Sequence, residues 1–176
     1  MTRAQLEHVI RAAATITADA DIVVLGSQAI LGEFPEAPAE LLVSNEVDVY
    51  PKGHPERSDL IDGSIGELSP FHETYGYYAQ GVGKETAVVP DGWEGRLVPI
   101  HTPAGTGWCL EVHDLIVSKY VAGRDKDRAF VRTALRHRLA DGNTLLDRLG
   151  STPLPSGKRE QLSRLIEEDR QQAGAG

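Results

Sequence analysis

Two acidic residues, Glu46 and Asp48, lie two positions apart in the segment EVDVYP, where acidic and apolar residues alternate. Alternation with a period of two is typical of a β-strand, so both carboxylates are expected on one face of a sheet. Hard oxygen ligands suit Mg²⁺, which takes one or two carboxylates together with waters and substrate phosphates. The pair therefore predicts a magnesium site formed by Glu46 and Asp48.

A second candidate site, Gly26-Ser27, directly follows the apolar run DIVVL at positions 21–25. This pattern predicts a short buried strand that turns at Gly26-Ser27 into a helix over 28–32. Such a turn offers free N–H groups, a small hydroxyl and the positive end of a helix dipole, which together favour phosphate. If one element holds a triphosphate and the other its metal, we expect metal-assisted nucleotidyl or phosphoryl transfer.

Lys119 and Asp127 are charged residues on helix faces that are otherwise apolar. Lys119 lies one turn after Leu115 in a helix predicted over about 113–122, and Asp127 precedes Phe130 by three positions in a helix over about 125–140. Inward charges are costly unless they are paired or line a cavity. Two interpretations stay open: a buried ion pair, or a site in which Lys119 contacts the triphosphate and Asp127 serves the acceptor hydroxyl as a base or orienting group.

The stretch from Lys119 to Arg138 is basic within an acidic chain. It holds seven Lys or Arg residues and two acids, whereas the whole chain has a net charge of −8. That net charge argues against a protein that coats nucleic acid nonspecifically. Four arginines recur every four residues and predict a ridge that contacts a tRNA backbone or nucleotide phosphates, or is simply solvated: Arg124, Arg128, Arg132 and Arg136.

The elements that must position these residues are strands mixed with helices. Helical periodicity begins after Thr2, further short strands are expected near 96–100 and 108–110, and helices are expected near 59–68 and 156–172. We predict an α/β (α+β) fold with a mixed β-sheet flanked by helices. Residues 1–110 would form the core, and residues 111–176 a helical C-terminal part packed on it as a single compact unit.

The composition is that of a globular protein, with 40% hydrophobic and 25% charged residues. Cys109 is the only cysteine, so neither an intrachain disulfide nor a thiolate zinc cluster can form. The N-terminus lacks a signal-peptide core, and no apolar run reaches the roughly 20 residues of a membrane span. We therefore expect a cytoplasmic protein. Phe71, Tyr75, Tyr77 and Tyr78 could stack on a base, although core or turn packing is the more common role of such residues.

The two motifs together resemble the DNA polymerase β-type nucleotidyltransferase superfamily: Gly-Ser after a strand, then acid-x-acid in the next strand. The run from Asp114 through Lys119 to Arg124-Asp-Lys126-Asp127 resembles the AbiEii/MenT-like nucleotidyltransferases, and SNEVDVYP resembles the stand-alone DUF6036-type members. Two departures stand out, since the first acid is Glu46 rather than the more usual Asp, and the gap after Ser27 is long. No third strand carboxylate is assigned, with Glu94 and Glu111 as the candidates.

The resemblance implies transfer of a nucleoside monophosphate from an NTP to an acceptor. It implies Mg²⁺ at Glu46 and Asp48, nucleotide contacts by Gly26, Ser27, Lys119, Arg124 and Lys126, and action of Asp127 on the acceptor. Some such proteins are toxins that modify tRNA, so tRNA and a cognate antitoxin are possible partners. The alternatives are a catalytically degenerate nucleotide- or RNA-binding regulatory protein, and an RNA-binding adaptor that uses the arginine ridge.

Overall fold

The computed structural model describes residues 1–174, which form a five-stranded mixed sheet with helices around it. The strands are β1 (Asp21–Leu25), β2 (Glu46–Pro51), β3 (Tyr78–Gly81), β4 (Val98–Thr102) and β5 (Gly105–Cys109), in the spatial order β3-β2-β1-β5-β4. The central strand β1 is buried along Ile22 to Leu25, as its apolar run predicts. The predicted mixed sheet is confirmed.

Two helices cover one face of the sheet. Helix α1 (Arg3–Thr17) begins at Thr2, whose hydroxyl accepts a hydrogen bond from the amide of Gln5 in a capping box. Its buried stripe of Leu6, Val9, Ile10 and Ala13 packs on β1, β2, β4 and β5. Helix α2 (Ser58–Ile65) packs on β2 and β3, and the short helix α3 (Pro70–Tyr75) follows it. The opposite face of β2 and β3 is thereby left for the acidic side chains.

The C-terminal part is helical, as predicted. It comprises α4 (Val112–Ala122), α5 (Asp125–Arg136), α6 (Gly142–Gly150) and α7 (Ser156–Gly174). Two buried carboxylates link these helices to each other and to the rest of the chain. Asp114 on α4 accepts hydrogen bonds from Arg96 Nε (2.8 Å) and Nη2 (3.0 Å), in the segment before β4. Asp169 on α7 accepts from Tyr120 Oη (3.2 Å) and Arg132 Nε (2.9 Å). The division into a core of residues 1–110 and a C-terminal part of residues 111–176, packed as a single compact unit, stays a prediction, and residues 175 and 176 lie outside the described residues.

Two features differ from the expectations. The helix expected after Gly26-Ser27 is a six-residue 3-10 helix, Ser27–Gly32. Residues Tyr78–Gly81, for which the sequence predicts no strand, form β3. Gly76 is a turn, since it ends α3 with φ +75°. No helix among residues 1–174 is both long and apolar enough to cross a membrane.

Candidate active site

A cleft of about 1030 Å³ lies between the acidic face of β2 and β3 and the helices α4 and α5. It brings together all eight predicted site residues, although Gly26 and Lys119 are 93 positions apart in the sequence. They are Gly26, Ser27, Glu46, Asp48, Lys119, Arg124, Lys126 and Asp127. The role of each residue stays a prediction. The hypothesis requires first that these residues lie in one cleft, as they do.

The sheet register places Asp48 beside the Gly-Ser turn. Strands β1 and β2 are antiparallel with Leu25 opposite Asp48, so Gly26 follows at the level of the acidic pair. Gly26 has φ +65°, and a Cβ added there would lie 2.1 Å from Asp48 Oδ2. A side chain at position 26 is therefore excluded both by backbone strain and by the close approach of the carboxylate. The glycine therefore lets the Asp48 carboxylate lie directly against the turn.

Glu46 and Asp48 are half-buried, and neither carboxylate has a hydrogen-bond or ion-pair partner within residues 1–174. Burial raises the pKa of Asp48 most strongly, and the charges of Lys119, Lys126 and Arg124 offset only part of that rise. Burial also raises the pKa of Glu46, and the neighbouring Asp48 charge adds to the effect. Partly desolvated carboxylates without a protein partner form a donor set that a divalent cation fits, because the cation supplies the missing positive charge.

Lys119, Arg124 and Asp127 form a compact ion cluster on the helical wall of the cleft. Asp127 is fully buried and accepts from Lys119 Nζ (3.1 Å) and Arg124 Nε (2.6 Å). Lys119 Nζ also lies 4.4 Å from the centre of the Phe130 ring. The buried Lys119–Asp127 ion pair is therefore present, and both residues line the cleft. Their contact with a triphosphate and an acceptor hydroxyl stays a prediction.

The pKa directions describe what this cluster can do. Burial lowers the pKa of Lys119, although the Asp127 charge opposes the change. For Asp127, burial is the largest single influence and acts upward, but hydrogen bonds and charges from Arg124 and Lys119 together hold its pKa below the ordinary value. A carboxylate held this way is a weak proton acceptor. The geometry favours an orienting role for Asp127, with a base role requiring the pair to open.

Ser27 and Lys126 complete the charged end of the cleft. The Ser27 hydroxyl makes no hydrogen bond to the described part of the chain, and Lys126 is exposed at the start of α5 without an ion pair there. The charge of Lys126 opposes the rise in the pKa of both Glu46 and Asp48, and all three residues line the cleft. Both groups are free to meet an anionic ligand.

A third carboxylate does not join Glu46 and Asp48. Glu111 caps α4 by accepting from the amides of His113 and Asp114, and Glu94 lies 3.9 Å from Lys84. Neither lines the cleft. Within residues 1–174, no group of three or more metal-ligating His, Cys, Asp or Glu side chains exists.

Gln80, rather than a third carboxylate, lies next to Asp48 on the adjacent strand β3. Strand β3 runs parallel to β2 with Gln80 paired to Asp48, and the Gln80 side chain is exposed in the cleft. Paired residues of adjacent strands project from the same face, so a carboxamide stands beside the two carboxylates. Sequence reasoning missed Gln80 because the four-residue strand YAQG carries no clear alternation. The only available signal was its place between two apolar or small residues.

The predicted arginine ridge is largely neutralised by carboxylates. Arg124 pairs with Asp127, Arg132 with Asp169, and Arg136 Nη2 lies 3.6 Å from Glu40. The last contact joins α5 to the segment between the Gly-Ser turn and β2, which includes a 3-10 helix at Ala39–Leu41. Pairing lowers the positive potential that a nucleic-acid backbone would meet on this ridge.

Fold and cleft together define a protein of the nucleotidyltransferase type. The chain belongs to the family described as nucleotidyltransferase of unknown function (DUF6036), whose model matches residues 4–153. The matched segment contains every residue of the site, whereas α7 follows it. Comparison with curated proteins gave no match, and comparison with solved structures gave none.

Proposed function

We propose that this protein is an NTP-dependent nucleotidyltransferase that moves a nucleoside monophosphate to an acceptor hydroxyl with the assistance of Mg²⁺. One observation carries the proposal. Two carboxylates with no hydrogen-bond or ion-pair partner among residues 1–174 lie in the same cleft as Lys119, Arg124 and Lys126, beside the tight Gly26 turn. Anionic oxygens and cationic side chains at such close quarters suit a metal–triphosphate ligand, which carries both kinds of charge.

Each residue has a defined task in this proposal. Glu46 and Asp48 hold the cation, which when bound neutralises phosphate charge. The Ser27 hydroxyl and the backbone beside Gly26 contact the β- and γ-phosphates, and Arg124 and Lys126 neutralise their outer oxygens. Lys119 stabilises the charge that grows on the phosphates, and Asp127 keeps Lys119 charged and oriented.

The reaction forms one bond and breaks another. The acceptor oxygen attacks the α-phosphorus, the bond from that phosphorus to the bridging oxygen breaks, and pyrophosphate leaves with the bonding electron pair. The acceptor hydroxyl loses its proton to a base, for which Asp127 is available only when its ion pairs open. The acceptor is proposed to be tRNA, and the protein the toxin of a toxin–antitoxin pair, on the resemblance of its Lys119 to Asp127 segment to AbiEii/MenT-like proteins.

A specific observation favours a second candidate, a nucleotide-binding protein without catalysis. Position 46 is Glu, and the residue beside Asp48 on β3 is Gln80 rather than an acid. A site with fewer acidic ligands holds divalent cations more weakly, so nucleotide could bind without turnover.

Incubation with each α-³²P-labelled NTP, Mg²⁺ and total tRNA separates these functions, with Asp48→Asn as the variant. We expect label on tRNA from the wild type and about a thousandfold less from the variant, since the cation provides several kcal/mol. Label on protein instead of tRNA would keep the chemistry and change the acceptor. Nucleotide binding with no transfer to any acceptor would establish the non-catalytic candidate.

A further inference from the structure

The lining of the cleft is uneven in charge along strand β2. All of its charged side chains come from β2, from α4, from α5 and the Arg124 that precedes it, and from Glu40. The segment that follows β3 contributes only uncharged residues: Gly81, Val82, Gly83, Thr86, Ala87 and Val88. The two charged residues of that segment, Lys84 and Glu85, are exposed and do not line the cleft.

The strand register fixes where the uncharged segment lies relative to the Gly-Ser turn. Because β1 and β2 are antiparallel with Leu25 opposite Asp48, the turn at Gly26 continues toward Glu46. Because β2 and β3 are parallel, Gly81 pairs with Val49, and the Val82 amide donates to the Val49 carbonyl at 2.9 Å. The Gly-Ser turn and the start of segment 81–88, at Gly81 and Val82, therefore leave Asp48 in opposite directions along β2.

We propose that the nucleobase of the NTP binds against segment 81–88, with Val88 and Ala87 as its apolar contacts and Thr86 as its polar one. The inference rests on the proposed function, since it takes the triphosphate to lie at the Gly26-Ser27 end. A nucleotide whose phosphates occupy that end and whose α-phosphate lies at Asp48 extends its nucleoside toward segment 81–88. A neutral ring fits an uncharged wall, and the Thr86 hydroxyl can both donate and accept.

An exposed valine lines the cleft at each of its two ends, and these valines can be used to distinguish the ends. Val88 is 39% exposed and Val43 is 80% exposed, and they are the two exposed large hydrophobic residues of the described chain that line the cleft. Val43 belongs to the other end, since it precedes Glu46 and lies next to Ser44. Its backbone is held on both sides, because the Met1 amino nitrogen donates to Leu42 O (2.6 Å) and Ser44 O (2.9 Å).

The aromatic side chains that could have stacked on a base are elsewhere. Phe71, Tyr75 and Tyr77 form a cluster with His8, where the His8 and Tyr75 ring centres are 4.7 Å apart. Neither these residues nor Tyr78 line the cleft. Phe130 does line the cleft, but it belongs to α5, and its ring lies beside Lys119 Nζ. At the uncharged end, the groups available to a base are therefore aliphatic and hydroxyl groups.

The test compares Val88→Ser with Val43→Ser, a matched control in the same cleft at the opposite end. Affinities for the four NTPs and for inorganic tripolyphosphate are measured with Mg²⁺ by calorimetry. Val88→Ser is expected to weaken NTP binding about three- to tenfold, the effect of one lost apolar contact, and to leave tripolyphosphate affinity unchanged. Val43→Ser should change neither affinity. Thr86→Val should change the order of preference among the four NTPs, with tripolyphosphate affinity again unchanged.

Other outcomes overturn the inference in distinguishable ways. Loss of NTP affinity in Val43→Ser but not in Val88→Ser would mean that the nucleotide lies in the reverse direction. Equal NTP affinity in all three variants and the wild type, all with native melting temperatures, would mean that segment 81–88 does not contact the base. A wild-type protein that binds neither NTP nor tripolyphosphate would remove the proposed function itself.

Discussion

Asp114 and Asp48 are both withdrawn from solvent, but their surroundings differ. The fully buried carboxylate of Asp114 accepts from Arg96 at 2.8 Å and 3.0 Å, and Arg148 Nε lies 3.4 Å away. Asp48 has no such partner in residues 1–174, although burial raises its pKa in the same direction as that of Asp114. A buried acid with an ion-pair partner supports the fold. An acid in a cleft without such a partner lowers stability, and a bound cation can offset that loss.

Asp127 belongs to both groups. Like Asp114, it is buried and doubly paired, and like Asp48, it lines the cleft. Among the carboxylates of the cleft, Lys119 and Arg124 compensate the charge of Asp127. Glu46 and Asp48 have no such ion pair within residues 1–174, and the proposed function depends on this difference.

The largest expected effect is a loss of activity, which should distinguish Asp48 from Asp114. Asp48→Asn should lower the nucleotidyl-transfer rate by about three orders of magnitude, or ~4 kcal/mol. It should not lower the free energy of unfolding, because it removes a desolvated charge without a partner. Transfer assays and urea unfolding of the same preparation check both halves. A stability loss as large as that of Asp114→Asn would show that Asp48 is a structural residue.

Asp114→Asn should have the opposite profile, with a loss of about 3 kcal/mol of stability. The substitution leaves Arg96 and Arg148 beside a neutral group at the junction of α4 with α6 and with the segment before β4. For a chain of this length, the melting temperature should fall by about 10 °C, as followed by circular dichroism. An unchanged melting temperature would contradict the structural role given to this carboxylate.

Lys119→Met should reduce tripolyphosphate affinity by about tenfold, or ~1.4 kcal/mol, because the substitution removes one positive charge from the wall of the cleft. Stability should fall less than in Asp114→Asn, since Asp127 keeps its contact with Arg124. Lys52→Met is the control, because Lys52 lies 4.7 Å from the Trp108 ring and does not line the cleft. Equal affinity in Lys119→Met and the wild type would place the phosphates away from α4.

Gln80→Glu should have the smallest effect, a tightening of Mn²⁺ binding by about three- to tenfold. It adds a third carboxylate beside Asp48 on the same face of the sheet. Gln161→Glu adds the same charge on exposed α7, away from the cleft, and should leave Mn²⁺ affinity unchanged. Similar tightening in both variants would mean that net charge, rather than a position beside Asp48, controls cation binding.

The sequence predicts the local elements that carry the candidate site better than the pairing of charged side chains around them. Glu46 and Asp48 follow from strict alternation, and β1 from an uninterrupted apolar run, because these patterns report local periodicity. The partner of Asp114 lies 18 positions away in Arg96, and the partner of Asp169 lies 37 positions away in Arg132. Such contacts depend on the packed arrangement of helices, which no local pattern encodes.

Strand β3 and the place of Gln80 were missed for a related reason. Four residues in which Ala79 is buried and Gln80 exposed give too short a pattern to separate a strand from turns marked by glycine. The strand exists because it extends the sheet beside β2 and receives α2 on its surface. Helix α6 was missed similarly, since its buried residues Leu145 and Leu149 are few and its partners are α4 and α7.

Mn²⁺ binding measured by electron paramagnetic resonance, without nucleotide, tests the central claim most directly. The wild type and Asp114→Asn, the latter kept below its melting transition, are predicted to bind Mn²⁺ alike, and Asp48→Asn is predicted to lose that binding. Retention of wild-type Mn²⁺ affinity in Asp48→Asn would contradict the claim that the unpaired carboxylates of the cleft are the cation site.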